Sequence, residues 1–354
     1  MILPTSRERR REQVDAFGRA GERGAVDFFP PSLLEAQHRH LGTAGSWNRL
    51  VARGDFLLYA RGSEHCPYAP SEVCTTRTTT SRGPPTVPMI ARALTIAGSD
   101  SGGGAGIQAD LKTFTVFRVF GTSAVTALTA QNTTGVSGIE RVSPAFVRAQ
   151  IDAVMSDIGA DAVKTGMLAD AAIVETVAEA VRDWRIEQLV VDPVMIAQHG
   201  ARLLQADASE ALLAQLIPLA RLVTPNTHEA AALTGLPVST EAEMRLAARA
   251  LIQRGARAVL LKGGHLCGGD ALDVLDDGRE VRILRAPRIA TPHTHGTGCQ
   301  LSAAIAANFA LGRSLADAVA VAKRFITEAI GGGLAIGRGT GPANPLAWLD
   351  TKNR

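Results

Sequence analysis

The feature that most constrains the fold of this 354-residue chain is a regular alternation of apolar strands and amphipathic helices that begins after Met89. Strands that alternate with helices usually pair in parallel and are covered by helices on both faces. We therefore predict an α/β fold with a central, mostly parallel sheet and helices on both faces. The predicted strands are 93–97, 123–130, 162–164, 189–192, 222–224 and 258–262, with a hairpin of 271–275 and 280–284 around Asp276-Asp277-Gly278, and the predicted helices are 107–119, 145–158, 171–184, 208–219, 241–254, 301–311 and 315–330.

The first 88 residues do not follow this alternation. Every basic residue there other than histidine is arginine, and the first lysine of the chain is Lys112. The segment ends in a polar tract, 75–85, that is rich in Thr, Ser, Gly and Pro and is typical of a linker. We predict that residues 1–88 are irregular or disordered, or result from an upstream start codon, and that residues 89–350 form the folded domain.

Composition excludes several classes of function. The net charge is only +3, and Lys and Arg do not form a run near aromatic residues, which argues against a nucleic-acid partner. The four cysteines are widely spaced without a C-x-x-C pair, as expected in a reducing cytosol. No apolar stretch is long enough to span a membrane. We expect a cytoplasmic protein that binds small molecules.

Polar residues follow most of the predicted strands at the point where each strand ends. In open α/β sheets the ligand binds beyond the carboxyl ends of the strands, so these residues predict a shared site there. They are Ser99 and Asp100, Gln131 and Asn132, Lys164 and Thr165, Asp192, Asn226, and Lys262.

The turn Gly296-Thr297-Gly298-Cys299 precedes an apolar helical pattern. Unpaired N–H groups at a helix start, together with the helix dipole, form an anion site, and phosphate is the usual anion. A thiolate at Cys299 would be stabilised in the first helical turn. The alternative is a glycine turn followed by a buried cysteine. Lys262, at a strand end beside two glycines, could meet a transferred phosphoryl group as a point charge.

Oxygen ligands for Mg²⁺ are predicted at Asp192, Asn226 and Glu229, since Mg²⁺ prefers carboxylates, amides, water and substrate phosphates. The alternative for Asn226 and Glu229 is purely structural. Asn226 would cap a helix, and Glu229 follows at the spacing of a capping box.

A glycine-rich loop, 98–106, follows the first strand, and its backbone amides could close over a small polar substrate. Part of it matches the dinucleotide fingerprint, but the second strand ends in Gln131 rather than in the acid that a ribose requires. Gln131 offers the donor and acceptor that heterocycle recognition needs, or it caps a loop. Asp110 is a candidate partner for a ring nitrogen or amino group, or an exposed acid on a helix face. For His293 and His295 we favour loop or supporting roles.

These motifs together resemble hydroxymethylpyrimidine/phosphomethylpyrimidine kinase of thiamin biosynthesis, in the ribokinase-like superfamily. They occur in family order over about 260 residues, which makes the resemblance very specific. The matching segments are 97–112, 126–132, 163–168, 191–195, 224–226, 261–265 and 296–299.

The resemblance implies phosphorylation of 4-amino-5-hydroxymethyl-2-methylpyrimidine, and then of its monophosphate, by ATP with Mg²⁺ in a homodimer. It implies that Cys299 lies at the substrate hydroxyl. The other implied roles are pyrimidine binding by Asp110 and Gln131 with Gly98 and Met167 lining the ring, phosphate binding by Lys262, Gly296, Thr297 and Gly298, and contacts to Mg²⁺ and nucleotide from Asp192, Asn226 and Glu229.

Two departures from the family pattern matter. Gln198 and His199 stand where the family usually has Lys-Ser, on a loop expected near the phosphates, and residues 1–88 have no counterpart. The rival functions are a pyridoxal kinase on the same fold and a non-catalytic pyrimidine-binding regulator, for which Gln198 is the only support.

Overall fold

The computed structural model describes residues 51–53, 56–58, 90–195, 206–264, 266 and 269–352. The chain divides into two units, Met1–Gly83 and Pro84–Arg354. In the first unit, the described residues form two antiparallel strands, Val51–Arg53 and Phe56–Leu58, with Val51 opposite Leu58. The rest of that unit lies outside the described residues, so its predicted irregularity stays a prediction. Gln198 and His199 also lie outside them.

The second unit contains a nine-stranded sheet of order β9-β8-β7-β6-β5-β4-β1-β2-β3. The six strands from β7 across to β2 are parallel, and the outer strands β3, β8 and β9 are antiparallel to their neighbours. The strands are β1 Arg92–Asp100, β2 Phe120–Asn132, β3 Gly135–Arg141, β4 Ala162–Thr165, β5 Leu189–Val191, β6 Leu222–Val223, β7 Val259–Lys262, β8 Asp270–Asp276 and β9 Val281–Pro287. The predicted mostly parallel sheet is therefore confirmed.

Helices connect the parallel strands, and several of them begin at residues whose side chains cap the helix start. Asp170 caps one helix by accepting from the Ile173 N–H, and Thr240 forms a capping box with Glu243. The helices are α1 Gly106–Val116, α2 Pro144–Asp157, α3 Ala171–Asp183, α4 Ala206–Ala211, α5 Thr227–Thr234, α6 Glu241–Gln253, α7 Thr297–Ala310, α8 Leu315–Gly331 and α9 Ala347–Lys352. No helix in the described part of the chain is long and apolar enough to cross a membrane.

Two apolar clusters lie on opposite faces of the sheet, as the alternation of side chains along a strand requires. In β1, Leu94 and Ile96 belong to one cluster, which also holds residues of α3 and α6. Ala93 belongs to the other cluster, which is built mainly on α7 and α8 and includes Phe325. The sheet is thus covered on both faces, and ligands can reach it at its ends.

The structure differs from the predicted elements at strand β3, at the short helix α9, which was not predicted, and at the helix predicted over 208–219. Strand β3 was not predicted; it carries Ser137 and Glu140 on a largely exposed outer edge, where the apolar pattern of a buried strand is absent. The helix predicted at 208–219 is α only as far as Ala211 and continues as a π turn, Leu212–Leu216, and a 3₁₀ turn, Ile217–Leu219. Pro218 explains the break, because it lacks an N–H for a regular helical bond.

Candidate active site

A cavity of about 740 Å³ lies at the carboxyl ends of the parallel strands. Every parallel strand contributes to its wall through the residues at or just beyond its end, as the position of ligands in open α/β sheets predicts. The contributing strand-end residues are Gly98, Ser99, Asp100, Thr129, Gln131, Lys164, Asp192, Asn226 and Lys262. Asn132 and Thr165 are not part of the lining.

The start of α7 forms one wall of this cavity. Gly296, Thr297, Gly298 and Cys299 all line it, and no side chain caps the first N–H groups of the helix. Gly296 has a φ of +76°, a conformation that favours glycine, and a side chain there would collide with the backbone of Gly104. The turn is therefore held close to the glycine-rich loop, with backbone donors available to an anion.

Lys262 lies beside this turn. A Cβ added at Gly298 would be 3.4 Å from the Lys262 Nζ, so the ammonium and the helix start share one region of the cavity. The same Nζ donates to Asp192 Oδ1 at 2.9 Å. Asp192 also accepts from the hydroxyls of Thr224 at 3.1 Å and Ser302 at 3.0 Å.

Asp192 is a carboxylate in this arrangement. Burial would raise its pKa, but the charges of Lys262 and Lys164 and the hydrogen bonds from Lys262 and Ser302 outweigh burial and hold the pKa below its usual value. The sequence-predicted nucleotide and metal residue is thus ionised and already paired with an ammonium.

Asn226 and Glu229 form the capping box of α5 and also line the cavity. The Glu229 N–H donates to Asn226 Oδ1 at 2.9 Å, and the Asn226 N–H donates to Glu229 Oε2 at 2.7 Å. Burial, reinforced by the negative charge of Asp192, raises the pKa of Glu229 to about 7 against the opposing effect of Lys262. The capping box, which was one of the two alternatives, is therefore present. Within the described residues, no group of three His, Cys, Asp or Glu side chains could hold a metal.

Cys299 is half-buried at the cavity wall. Burial raises the pKa of its thiol to about 11, and the charges of Asp110 and Asp192 act in the same direction. Lys164 and the Gly106 N–H oppose this increase without cancelling it. The expectation of a thiolate at Cys299 is therefore wrong for the ligand-free protein, because desolvation and two nearby carboxylates outweigh Lys164 and the Gly106 N–H.

Asp110 lies in the interior rather than on an exposed helix face, so the alternative of an exposed acid is wrong. Its Oδ2 accepts from Lys164 Nζ at 2.8 Å and from the Thr95 hydroxyl at 2.6 Å. The side chains of both Asp110 and Lys164 are completely buried. Lys164 reaches the cavity wall, whereas Asp110 is not among the lining residues.

Lys164 is the functional candidate that sequence reasoning passed over. It was noted only as a polar strand end. The feature that could have identified it is a lysine within the short strand β4, in which every residue is buried. A buried ammonium requires a partner carboxylate, and Asp110 is the one that the fold supplies.

Gly98, Gln131 and Met167 also line the cavity. A Cβ at Gly98 would lie 3.0 Å from the Met167 sulfur, so glycine leaves room for that side chain. The Gln131 amide is half-buried near His295, which is itself buried and paired with Asp100 at 2.9 Å. One cavity thus holds both a polar amide and a cationic, donor-rich wall.

Comparison with known proteins places the chain in a family. The family model described as phosphomethylpyrimidine kinase matches residues 100–344. The thiamine biosynthesis bifunctional protein ThiED of Geobacter sulfurreducens is 54% identical over 262 residues, which are 74% of this chain and 54% of that protein. The hydroxymethylpyrimidine/phosphomethylpyrimidine kinase of Streptomyces coelicolor is 49% identical over 265 residues, which are 75% of this chain and 97% of the relative.

The fold agrees with these relatives. The structure of an ADP complex of Bacillus subtilis pyridoxal kinase superposes with a TM-score of 0.70 and 39% identity, covering 74% of this chain and 99% of that one. The expected ribokinase-like architecture and the expected kinase class are both confirmed. The chain belongs to the phosphomethylpyrimidine kinase family.

Proposed function

We propose that this kinase transfers the γ-phosphoryl group of ATP to the hydroxymethyl oxygen of 4-amino-5-hydroxymethyl-2-methylpyrimidine, and then transfers a second phosphoryl group to the resulting monophosphate. The observation that carries the proposal is that one cavity combines groups suited to both substrates. Gln131 offers an amide for a heterocycle, and Lys262 lies with the Gly296–Cys299 turn, which suits phosphate. Relatives that are about 50% identical support it: one is named a thiamine biosynthesis bifunctional protein and another a hydroxymethylpyrimidine/phosphomethylpyrimidine kinase.

Catalysis in this scheme is mainly positioning and electrostatic stabilisation. The N–H groups of Gly296 and Gly298 bind the phosphate oxygens, joined by the Thr297 N–H if it exchanges its 3.3 Å bond to the Thr294 carbonyl oxygen for phosphate. The Lys262 ammonium neutralises charge on the transferred group. Asp192 holds that ammonium in place through its 2.9 Å contact. Each part is rigidly supported by a strand end or by the start of α7.

Cys299 acts in the first step only. Its thiol keeps its proton at neutral pH, since a pKa of about 11 leaves about one thiolate in ten thousand at pH 7. We therefore assign it the role of orienting the substrate hydroxyl by a hydrogen bond. The hydroxyl oxygen forms the new bond to phosphorus as the bond to ADP breaks, and its proton passes to an oxygen of the transferred phosphoryl group. The second acceptor is an anionic phosphate, which needs no such partner.

Mg²⁺ is proposed as the metal cofactor, and the residues present fit it. Glu229 is a buried carboxyl group whose pKa of about 7 shows that a nearby cation would stabilise its ionised form. A site with few protein carboxylates suits Mg²⁺, which keeps water and substrate phosphates as ligands. Glu229, with Asp192 and the Asn226 amide beside it, would hold the ion. When bound, the ion would neutralise phosphate charge.

The pyrimidine contacts are likewise proposals. Gln131 would pair with the heterocycle edge, with Gly98 and Met167 against the ring. Asp110 would support these pyrimidine contacts only indirectly, because its carboxylate is bound to Lys164 and does not line the cavity. A homodimer, which the sequence resemblance implies, is testable by light scattering of the purified protein.

The test of the function is product analysis by mass spectrometry. With the hydroxymethylpyrimidine and Mg-ATP, we expect the monophosphate first and the diphosphate later. A pyridoxal kinase is the second candidate, favoured by the 39% identical B. subtilis structure. Faster turnover of pyridoxal than of the pyrimidine would support that candidate, and binding without turnover of either would support a regulator.

A further inference from the structure

The side chain of His295 contacts both the glycine-rich loop, through Asp100, and the Gln131 amide. Its Nε2 lies 2.9 Å from Asp100 Oδ2 and 3.3 Å from the nitrogen position of the Gln131 amide. Asp100 in turn accepts from three backbone N–H groups of the glycine-rich loop: Gly102 at 2.8 Å, Gly104 at 3.1 Å and Ala105 at 2.8 Å. The buried His295 ring therefore lies between Asp100, whose carboxylate already accepts several hydrogen bonds, and Gln131, the side chain proposed to bind the heterocycle.

The direction of the hydrogen bond between His295 and Asp100 follows from the state of the carboxyl group. Burial would raise the pKa of Asp100, but the His295 ring and the N–H groups of Ala105 and Gly102 lower it below its usual value. Asp100 is thus a carboxylate and can only accept. The Nε2 of His295 must carry the proton that it donates at 2.9 Å.

A protonated Nε2 cannot accept a second hydrogen bond from an amide N–H. The Nε2 proton is already donated to Asp100, so an amide N–H of Gln131 at 3.3 Å would oppose it, whereas the amide oxygen can share that proton as the longer branch of a bifurcated bond. The oxygen and nitrogen of an amide exchange places when the group turns by about 180°, and their assignment is made from the surrounding hydrogen bonds.

Thr129 leads independently to the same orientation. Its hydroxyl lies 2.9 Å from the Ser99 carbonyl oxygen and 3.2 Å from the oxygen position of the Gln131 amide. A hydroxyl has one proton, and the shorter contact to Ser99 takes it. The Thr129 oxygen can then accept from the Gln131 amide, provided that the amide nitrogen faces it. Turning the amide removes the two opposed N–H groups at His295 and gives the Thr129 oxygen a donor.

We propose that His295, held by Asp100, is a positioning residue that fixes the Gln131 amide with its oxygen towards the imidazole and its nitrogen towards Thr129, and so sets which heterocycles the enzyme accepts. The proposal deepens the proposed function and rests on Gln131 contacting the substrate. An aminopyrimidine edge presents an amine donor beside a ring-nitrogen acceptor, so it pairs with an amide in only one orientation. A ring hydroxyl, as in pyridoxal, can donate or accept a hydrogen bond, so it can pair with either orientation of the Gln131 amide.

The test measures kcat and KM of the full chain for the hydroxymethylpyrimidine, pyridoxal and ATP in matched variants. His295→Leu removes the N–H, and His295→Gln can place an N–H near the same position. We expect His295→Leu to raise the KM for the pyrimidine about tenfold, the size of one lost hydrogen bond, with smaller effects on the KM values for pyridoxal and ATP. His295→Gln should recover most of this loss. His293→Leu, in the same segment but outside the lining, should leave the ratio of pyrimidine to pyridoxal KM unchanged.

A double-mutant comparison separates positioning from a structural role. If His295 acts through Gln131, then His295→Leu should change the pyrimidine KM less than about twofold in the Gln131→Leu background. Full additivity, or an equal rise in the KM for ATP, would overturn the inference. A Gln131→Leu variant with the pyrimidine KM of the unaltered enzyme would instead show that the assumed substrate contact is wrong. Thermal melting of each variant identifies any that fail to fold.

Discussion

The Lys164 ammonium lies 2.8 Å from the Asp110 carboxylate, and the side chains of both residues are completely buried. Asp110 also accepts from Thr95, while its second oxygen has no hydrogen-bond partner among the described residues. Burial would lower the pKa of Lys164, but the charges of Asp110 and Asp192 raise it above its usual value. A permanent positive charge therefore lies at the cavity wall.

This pair predicts a non-additive effect on stability. Lys164→Met leaves the Asp110 charge buried without its cation, and removal of one partner of a buried ion pair typically costs about 3–5 kcal/mol. Replacing both residues, with Asp110→Leu beside Lys164→Met, should recover much of that loss. Urea unfolding at pH 7 measures the free energies. A double variant as unstable as the sum of the two single variants would contradict a paired role.

The protonated thiol of Cys299 predicts different outcomes for two substitutions. Cys299→Ser keeps a hydrogen-bonding group at the substrate hydroxyl and should retain most of the rate of the first phosphorylation. Cys299→Ala should slow the first step more than the second. Single-turnover measurements with the pyrimidine and with its monophosphate separate the two steps. A first-step loss of about 10²–10⁴-fold in the serine variant would show that cysteine acts as a base instead.

Alkylation of Cys299 by iodoacetamide should be slow at neutral pH and should rise about tenfold per pH unit towards the thiol pKa of about 11. Lys164→Gln should slow it further at each pH, because the substitution removes the cation that lowers this pKa. Mass spectrometry of the peptide that contains Cys299 follows the reaction. Rapid modification at pH 7 in the unaltered protein would contradict the raised pKa.

Glu229 predicts a pH dependence of stability in the ligand-free protein. Its pKa rises from 4.5 to about 7 on folding, so its contribution to stability is fully present below pH 4.5 and is lost as pH rises through about 7. Glu229→Gln keeps an acceptor for the Asn226 N–H and removes the titration. The free energy of unfolding, measured with urea between pH 4.5 and 8, should therefore fall less steeply with pH in the variant than in the unaltered protein. The variant should also bind Mg-ATP more weakly, and parallel curves with unchanged Mg-ATP binding would argue against both roles.

A chain that begins at Met89 should keep the kinase activity and melting temperature of the full chain. The family match at 100–344 and every residue that lines the cavity lie after this position. Steady-state kinetics and thermal melting of the two proteins, purified in parallel, provide the comparison. A clear loss of either property would show that residues 1–88 belong to the functional structure.

The sequence alone determined the parallel part of the sheet and the location of the site. Alternating strands and helices can cover a parallel sheet in few ways, and the carboxyl ends of parallel strands must share an edge. That is why Asp192, Asn226 and Lys262 could be assigned to one cavity from their positions alone. The glycine turn before α7 was equally clear, because its conformation depends on adjacent residues.

Only the tertiary structure decided which polar groups are paired and where protons lie. Asp110 and Lys164 are 54 residues apart, and Asp100 and His295 are 195 apart, so neither pair leaves a periodic signal in the chain. The thiol of Cys299 keeps its proton because desolvation and two carboxylates from distant segments outweigh Lys164 and the Gly106 N–H. Local chemistry gives each group its capacity to bind, and the surrounding packing determines its charge and orientation.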